Sequence, residues 1–331
     1  MERVTVVLGA GASRGVKYAH LGQFPSPLDG DYFDLLQRLK PNEKDLEAVN
    51  FVLKQASLLP PDFRRSMERT FYTLHLRSLL RRKLSGSPDK SEEARIVGSF
   101  AHATEALLRE SHGKLTCDYH RELVMRLKGD DAIISFNYDL VIDRALRPFA
   151  EGSKVEFGGQ IYCFEGSPEK PLPIPRIIKL HGSSNWRLTQ DGFSTGNSWT
   201  DFDDRPWYLR QKLKGTEFPI FLPFWDKDIE DGPWLHLWKR AHFRLQGTAV
   251  VLVWGYSLPP TDVKARELFS ISVAESGANI KLCVIAPSSS TRQRWRDLYP
   301  RAQFWEYERI TQFIDYPPPW WSERPAKRSK I

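Results

Sequence analysis

Five short stretches hold the residues with chemistry to offer, and each directly follows an apolar run. They are Gly9-Ala10-Gly11-Ala12-Ser13, Phe136-Asn137-Tyr138-Asp139, His181-Gly182-Ser183-Ser184-Asn185-Trp186, Gly255-Tyr256-Ser257-Leu258-Pro259 and Pro287-Ser288-Ser289-Ser290. Small residues at 9 to 13 let backbone N–H groups approach a pyrophosphate at a helix start, although Arg14 stands where G-x-G-x-x-G needs its third glycine. A plain tight turn from strand to helix needs the same glycines. Asn137 can orient a water or a ribose, and Asp139 can accept a hydrogen bond from a carboxamide. Either can also cap a helix that starts near Val141, and Asp139 is the better placed. His181 offers an imidazole, which exchanges protons near neutral pH. The other histidines lack a strand-end setting, and H-E-x-x-H does not occur. Cys117, Cys163 and Cys283 are odd in number and far apart, so neither a zinc site nor a disulfide framework is expected.

The elements that must position these residues are six short apolar runs: Val4–Leu8, Ala132–Ser135, Ile177–Leu180, Ala249–Trp254, Ile280–Ile285 and Gln303–Tyr307. Near-continuous Val and Ile without alternation suits strands covered on both faces, hence a parallel sheet. In such a sheet ligands bind beyond the carboxyl ends of the strands, so the five polar stretches converge on one crevice. The expected fold is α/β: a Rossmann-like parallel sheet of about six strands with an inserted all-helical lobe. Residues 1–28 plus 129–314 form the sheet domain and 29–128 the lobe, with a tail over 315–331. Within the lobe, Phe63, Met67, Phe71 and Leu74 recur at helical spacing, with Arg64, Arg65 and Arg69 on another face. Gly86-Ser87-Pro88-Asp89 breaks the chain before a helix start at Ser91-Glu92-Glu93. A Pro- and Trp-rich region from Arg187 to Arg240, with Pro206, Pro219, Pro223 and Pro233, is expected to cover the ligand end of the sheet. No second strand ending in Asp or Glu follows the glycine loop after about 20 residues, which disfavours a dehydrogenase.

With 41% hydrophobic and 27% charged residues, the 331-residue chain reads as an ordinary globular protein. No stretch approaches the ~18 apolar residues of a membrane span, and the apolar start lacks a secretory cleavage pattern, so the cytoplasm is the expected location. The net charge of +7 comes largely from Arg64, Arg65, Arg69, Arg77, Arg81, Arg82 and Lys83, and from Lys327, Arg328 and Lys330. A nucleic-acid surface on this Arg-rich helix is one reading. A solvated helix face and a disordered basic end is the other, favoured because no aromatic stacking motif is interleaved.

Four of the five stretches resemble, in order, the motifs of the sirtuin-like NAD-binding family. Val7-Leu8-Gly9-Ala10-Gly11-Ala12-Ser13 resembles its opening G-A-G-x-S, and Ser135-Phe136-Asn137-Tyr138-Asp139 its T-Q-N-I-D, with Phe136 for Gln. Lys179-Leu180-His181-Gly182-Ser183 resembles its H-G-S/T, whose His is the catalytic base, and Gly255-Tyr256-Ser257-Leu258 its G-T-S-L, whose Ser contacts the nucleotide. The four-cysteine zinc module of the family's deacylases is absent. Their Phe-Gly pair is not found in Leu222-Pro223-Phe224-Trp225-Asp226, and a Pro-Asp-Phe-Arg segment after the glycine loop is expected to be missing as well. In this the chain resembles the zinc-less bacterial sirtuin-like proteins of anti-phage defence, which hydrolyse NAD when activated. The resemblance implies an NAD glycohydrolase with NAD as substrate and no metal. His181, Asn137 and Asp139 would be catalytic. Gly9, Ala10, Gly11, Ala12, Ser13, Asn137, Asp139, Gly255, Tyr256, Ser257 and Ser288 would bind the nucleotide. A homo-oligomer or an operon-encoded partner is implied as well. The alternatives are an NAD-dependent deacylase or ADP-ribosyltransferase, and a non-catalytic NAD or ADP-ribose sensor.

Overall fold

The computed structural model describes residues 2–14, 24–113, 115–151, 158–167, 170–189, 192–195, 220, 232–276 and 280–326. The expected runs form six strands: β1 (Val4–Leu8), β2 (Ala132–Ser135), β3 (Arg176–Lys179), β6 (Val250–Trp254), β7 (Lys281–Ile285) and β8 (Gln303–Tyr307). A hairpin of β4 (Trp186–Thr189) and β5 (Gly192–Thr195) stands apart from them. Three strands begin one residue away from the expected place, the usual uncertainty at an element's end. Every residue of β1, β2, β3 and β6 is buried, as continuous apolar runs require when both faces are covered.

The six strands are all parallel, in the order β3-β2-β1-β6-β7-β8. Strand order therefore reverses between β1 and β6, the Rossmann arrangement with its crevice at that point. Register places Leu8 level with Ser135 and Trp254, Ser135 level with Lys179, and Trp254 level with Ile285. The strands thus end in one row, and the five polar stretches leave from the same edge.

Between β1 and β2 the chain forms helices Tyr32–Arg38, Glu43–Ser57, Met67–Ser85 and Ser91–His112 around a second core that includes Tyr32, Leu36, Val52, Phe71, Phe100 and Leu107. The stripe from Phe63 to Leu74 is interrupted: Phe63 lies in a 3-10 turn over Pro61–Arg65, and the Ser66 side chain caps the next helix by accepting from the Arg69 amide at 3.1 Å. The same turn holds Pro61-Asp62-Phe63-Arg64, so the Pro-Asp-Phe-Arg segment expected to be missing after the glycine loop is present, carried into the helical lobe. Gly86 closes the helix Met67–Ser85 in a left-handed conformation (φ +66°), which a side chain would strain. Much of the expected basic face is engaged: Arg81 pairs with Glu92 at 2.9 Å, Arg82 with Glu93, and Arg69 lies over the Phe63 ring. Tyr138, in the loop after β2, and Ile220 pack into this second core, so the lobe sits directly on the carboxyl edge of the sheet. Leu123 and Val124 of helix Asp118–Met125 belong instead to the core of the sheet.

Residues 315–326 are not a loose tail. Trp320 and Trp321 are buried in the main core, and Arg324 is 2% exposed. Its guanidinium reaches Asp131 and donates to the carbonyls of Arg126 and Glu2 at 3.0 Å, while Asp131 accepts from the amides of Val4 and Lys128. The expected basic residues Lys327, Arg328 and Lys330 lie outside the described residues, as does most of the region from Arg187 to Arg240, including Pro206, Pro219 and Pro223 and the segment 222–226. Among the described residues no helix is long and apolar enough to cross a membrane. Replacing Arg324 with Ala strands the Asp131 carboxylate in the interior, so chemical denaturation should show a loss of about 3–5 kcal/mol. Unchanged stability would remove this pair from the account.

Candidate functional site

The loops after β1 and β6 are fastened backbone to backbone. Gly9 N–H donates to the Trp254 carbonyl at 3.1 Å and Gly11 N–H to the Gly255 carbonyl at 3.0 Å. A Cβ on Gly9 would fall 2.4 Å from the Tyr256 Cα, and one on Gly255 (φ +68°) 2.0 Å from the Ala12 nitrogen. The glycines therefore serve loop-to-loop contact first, and two amides of the expected phosphate cradle are already engaged in it.

Asn137 hangs over this joint. Its Nδ2 donates to the Gly9 carbonyl at 2.9 Å and to Ser13 Oγ at 3.3 Å, which fixes which end of the amide is oxygen. Ser13 Oγ in turn donates to Asp139 Oδ2 at 2.7 Å, and Asp139 Oδ1 accepts from the Val141 amide at 3.0 Å, capping helix Val141–Glu151. Beneath, the fully buried Lys179 ammonium donates to the Asp139 carbonyl, to Asp143 and to Ser183 Oγ. Burial alone would raise the Asp139 carboxyl. The charges of His112 and Lys179 and the hydrogen bonds from Ser13 and Val141 outweigh it and hold the group below the ordinary 3.8. His112 is itself pushed toward its neutral form by burial. Asn137 Oδ1 is the exception in this network: it is buried and has no hydrogen-bond partner among the described residues.

His181 follows β3 and is held by neighbours from two other loops. Its Nε2 lies 3.2 Å from Asp262 Oδ2, which also accepts from Tyr256 Oη at 2.8 Å. Phe136 meets the imidazole edge-on at 5.1 Å and stacks flat on Tyr256 at 3.9 Å. A cavity of about 380 Å³ opens here, between the sheet edge and the helical lobe. Ala10, Gly11, Asn137, Asp139, His181, Gly255, Tyr256, Ser257 and Ser288 all line it. Of the expected nucleotide-binding residues, Gly9, Ala12 and Ser13 are not on its wall; they stand behind it and hold Asn137, Asp139 and the β6 loop.

The lobe supplies the opposite wall through Asp29, Tyr32, Met67 and Glu68, and Thr261 Oγ1 ties the two sides by donating to Glu68 at 2.7 Å. Sequence reading missed Glu68 and Asp262. Asp262 sits eight residues past the end of β6, directly before helix Val263–Ser276, where its type reads as a helix cap. Glu68 lies in the first turn of a lobe helix, where an acid is equally ordinary. Among the described residues no group of His, Cys, Asp and Glu could hold a metal.

Neither a protein-family model nor a curated protein matches the chain. Its structural neighbours are Sir2 homologues at low identity. One is a mutant Sir2 homologue in complex with ADP-ribose, 17% identical over 95% of this chain and 89% of the other, with a TM-score of 0.38. Another is a Sir2 bound to an inhibitor, 2′-O-acetyl-ADP-ribose and a deacetylated p53 peptide. It is 13% identical over 95% and 91% of the two chains, with a TM-score of 0.39.

The network around Asp139 has a pH signature. A carboxyl depressed in the folded state adds stability that is full above its unfolded pKa and lost as the pH falls through the folded one. Asp139→Asn should therefore cost about 1–3 kcal/mol at neutral pH, and the gap to the wild type should close as the pH drops below 3.8. Denaturant midpoints of both proteins across that range check it; a gap that does not vary with pH would contradict the assignment.

Proposed function

We propose that the chain hydrolyses NAD to nicotinamide and ADP-ribose at this cavity. The observation that carries the reading is one of placement: Asn137, whose buried Oδ1 has no hydrogen-bond partner among the described residues, lines the same cavity as His181 at the point where strand order reverses. A buried acceptor left unsatisfied costs about 1–3 kcal/mol, and such a cost is kept where a ligand supplies the missing donor.

In this reading Asn137 Oδ1 accepts a hydrogen bond from the attacking water or a ribose hydroxyl. The bond between ribose C1′ and the nicotinamide nitrogen breaks, and its electron pair neutralises the pyridinium. The water oxygen bonds to C1′ and its proton passes to His181. Asp139 already accepts two hydrogen bonds, and a carboxylate has lone pairs left for the nicotinamide carboxamide. Ala10 and Gly11 face the pyrophosphate, while Gly255, Tyr256, Ser257 and Ser288 line the adenosine side. The resemblance of the motifs to those of zinc-less bacterial defence proteins supports a role as an anti-phage effector that a partner switches on.

His181→Ala and Asn137→Ala should each lower nicotinamide release by about 100-fold or more while far-UV circular dichroism shows both variants folded. The assay is run on NAD with and without operon-encoded or phage-derived partners. Wild-type turnover in both variants contradicts the reading. Acetylated ADP-ribose formed from an acyl-peptide would replace it with deacylation, and tight NAD binding without turnover would replace it with sensing.

A further inference from the structure

The geometry points to Asp262 as the positioning residue that sets the orientation and protonation of His181, an inference that rests on the hydrolytic reading above. No motif singled out this aspartate; its place in the fold does. The loop from β6 to Asp262 contains two left-handed positions, Gly255 (φ +68°) and the buried Leu258 (φ +48°). A left-handed Leu is costly, and such strain persists only where surrounding contacts impose it. Here they do: Trp295 Nε1 donates to the Tyr256 carbonyl and Arg294 Nε to the Ser257 carbonyl, both at 3.0 Å, and the Asp262 amide donates to the Pro259 carbonyl. The outcome is a carboxylate, 3% exposed, returned across the sheet edge to the imidazole that leaves β3.

A carboxylate on Nε2 does two things for an imidazole that accepts a proton. It holds Nε2 as the protonated nitrogen, leaving Nδ1 as the base, and it stabilises the imidazolium once the proton arrives. Tyr256 Oη, on the same carboxylate oxygen, keeps the group from turning away. Other charged and titratable groups on this cavity and beside it, among the described residues, are Asp29 and Glu68 from the lobe, the latter held by Thr261, the residue before Asp262; Asp139, Tyr138 and Tyr256 from neighbouring loops; and Lys179 from the strand that leads to His181. Burial and the nearby carboxylates push both tyrosines well above their ordinary range, so neither titrates with the imidazole near neutral pH. Lys179 is turned away, onto Asp143 and Ser183. Asp262 is therefore an anion in direct contact with His181 among the described residues.

Asp262→Asn keeps the shape and the hydrogen bond from Tyr256 and removes the charge. Two readouts on the full chain test the inference. The imidazole of isotope-labelled His181, followed by NMR, should titrate at lower pH in the variant than in the wild type; this needs no turnover. The kcat for nicotinamide release should fall about 100-fold, and the acid limb of its pH profile should move to lower pH, while Asp262→Glu restores part of the rate. An unmoved His181 titration, or a rate loss with an unmoved acid limb, overturns the positioning role. A wild type that releases no nicotinamide under any trigger overturns the hydrolytic reading instead, and the NMR titration still decides whether Asp262 governs His181. Should Asp262→Asn fail to fold, Asp262→Ser carries both readouts: a His181 titration moved to lower pH supports the pairing, and an unmoved one overturns it.

Discussion

The close backbone contact between the loops after β1 and β6 is the constraint on which the rest of the site depends. The two strands are neighbours at the point where strand order reverses, so their loops would ordinarily diverge to opposite sides of the sheet. Gly9, Gly11 and Gly255 instead let them touch, through two amide-to-carbonyl hydrogen bonds and contacts that no side chain could share. That joint presents the Gly9 carbonyl to Asn137 and aims the β6 loop so that Tyr256 meets Phe136 and Asp262 meets His181. Small residues here make geometry, and the geometry then places the polar groups.

Around the joint lies a buried polar network whose members satisfy one another. Lys179, Asp143, Ser183, Asp139 and Ser13 are buried, and each has a partner within 3.0 Å. A network of this kind is costly when broken and rigid when complete. Rigidity is what a reaction centre needs, because a small displacement of a proton-transfer group costs rate steeply. The helical lobe adds to it by closing the far wall and by taking Tyr138 into its own core, so the loop that bears Asn137 is packed from both sides.

Much of this was legible in the residues. Burial on both faces leaves a plain mark, and β1, β2, β3, β6 and β7 stand where continuous apolar runs placed them, while β8, an edge strand without a buried residue, stands where its aromatic residues placed it. A parallel sheet then puts every following loop at one edge, so the presence of Asn137 and His181 on one cavity followed from topology. Other features were illegible for physical reasons. Asp262 reaches His181 only through a left-handed leucine that no local signal announces. Arg324 is buried by an aspartate 193 residues away, while its own surroundings, rich in Pro and basic residues, read as a loose end. Gly9, Ala12 and Ser13 match a phosphate loop by type, yet their contacts are spent on the neighbouring loop and on Asp139. Spacing reveals which residues share an edge; it does not reveal which of them face the cavity.

The central claim is that Asn137 Oδ1 and His181 address the same sugar of a bound nucleotide. A crystal structure of the chain with ADP-ribose tests it most directly. The account predicts the ribose that would bear nicotinamide in the cavity, with a hydroxyl or its adjoining water hydrogen-bonded to Asn137 Oδ1 and His181 within reach of the same group. A nucleotide bound elsewhere, or in the cavity with that ribose turned away from both side chains, would contradict it.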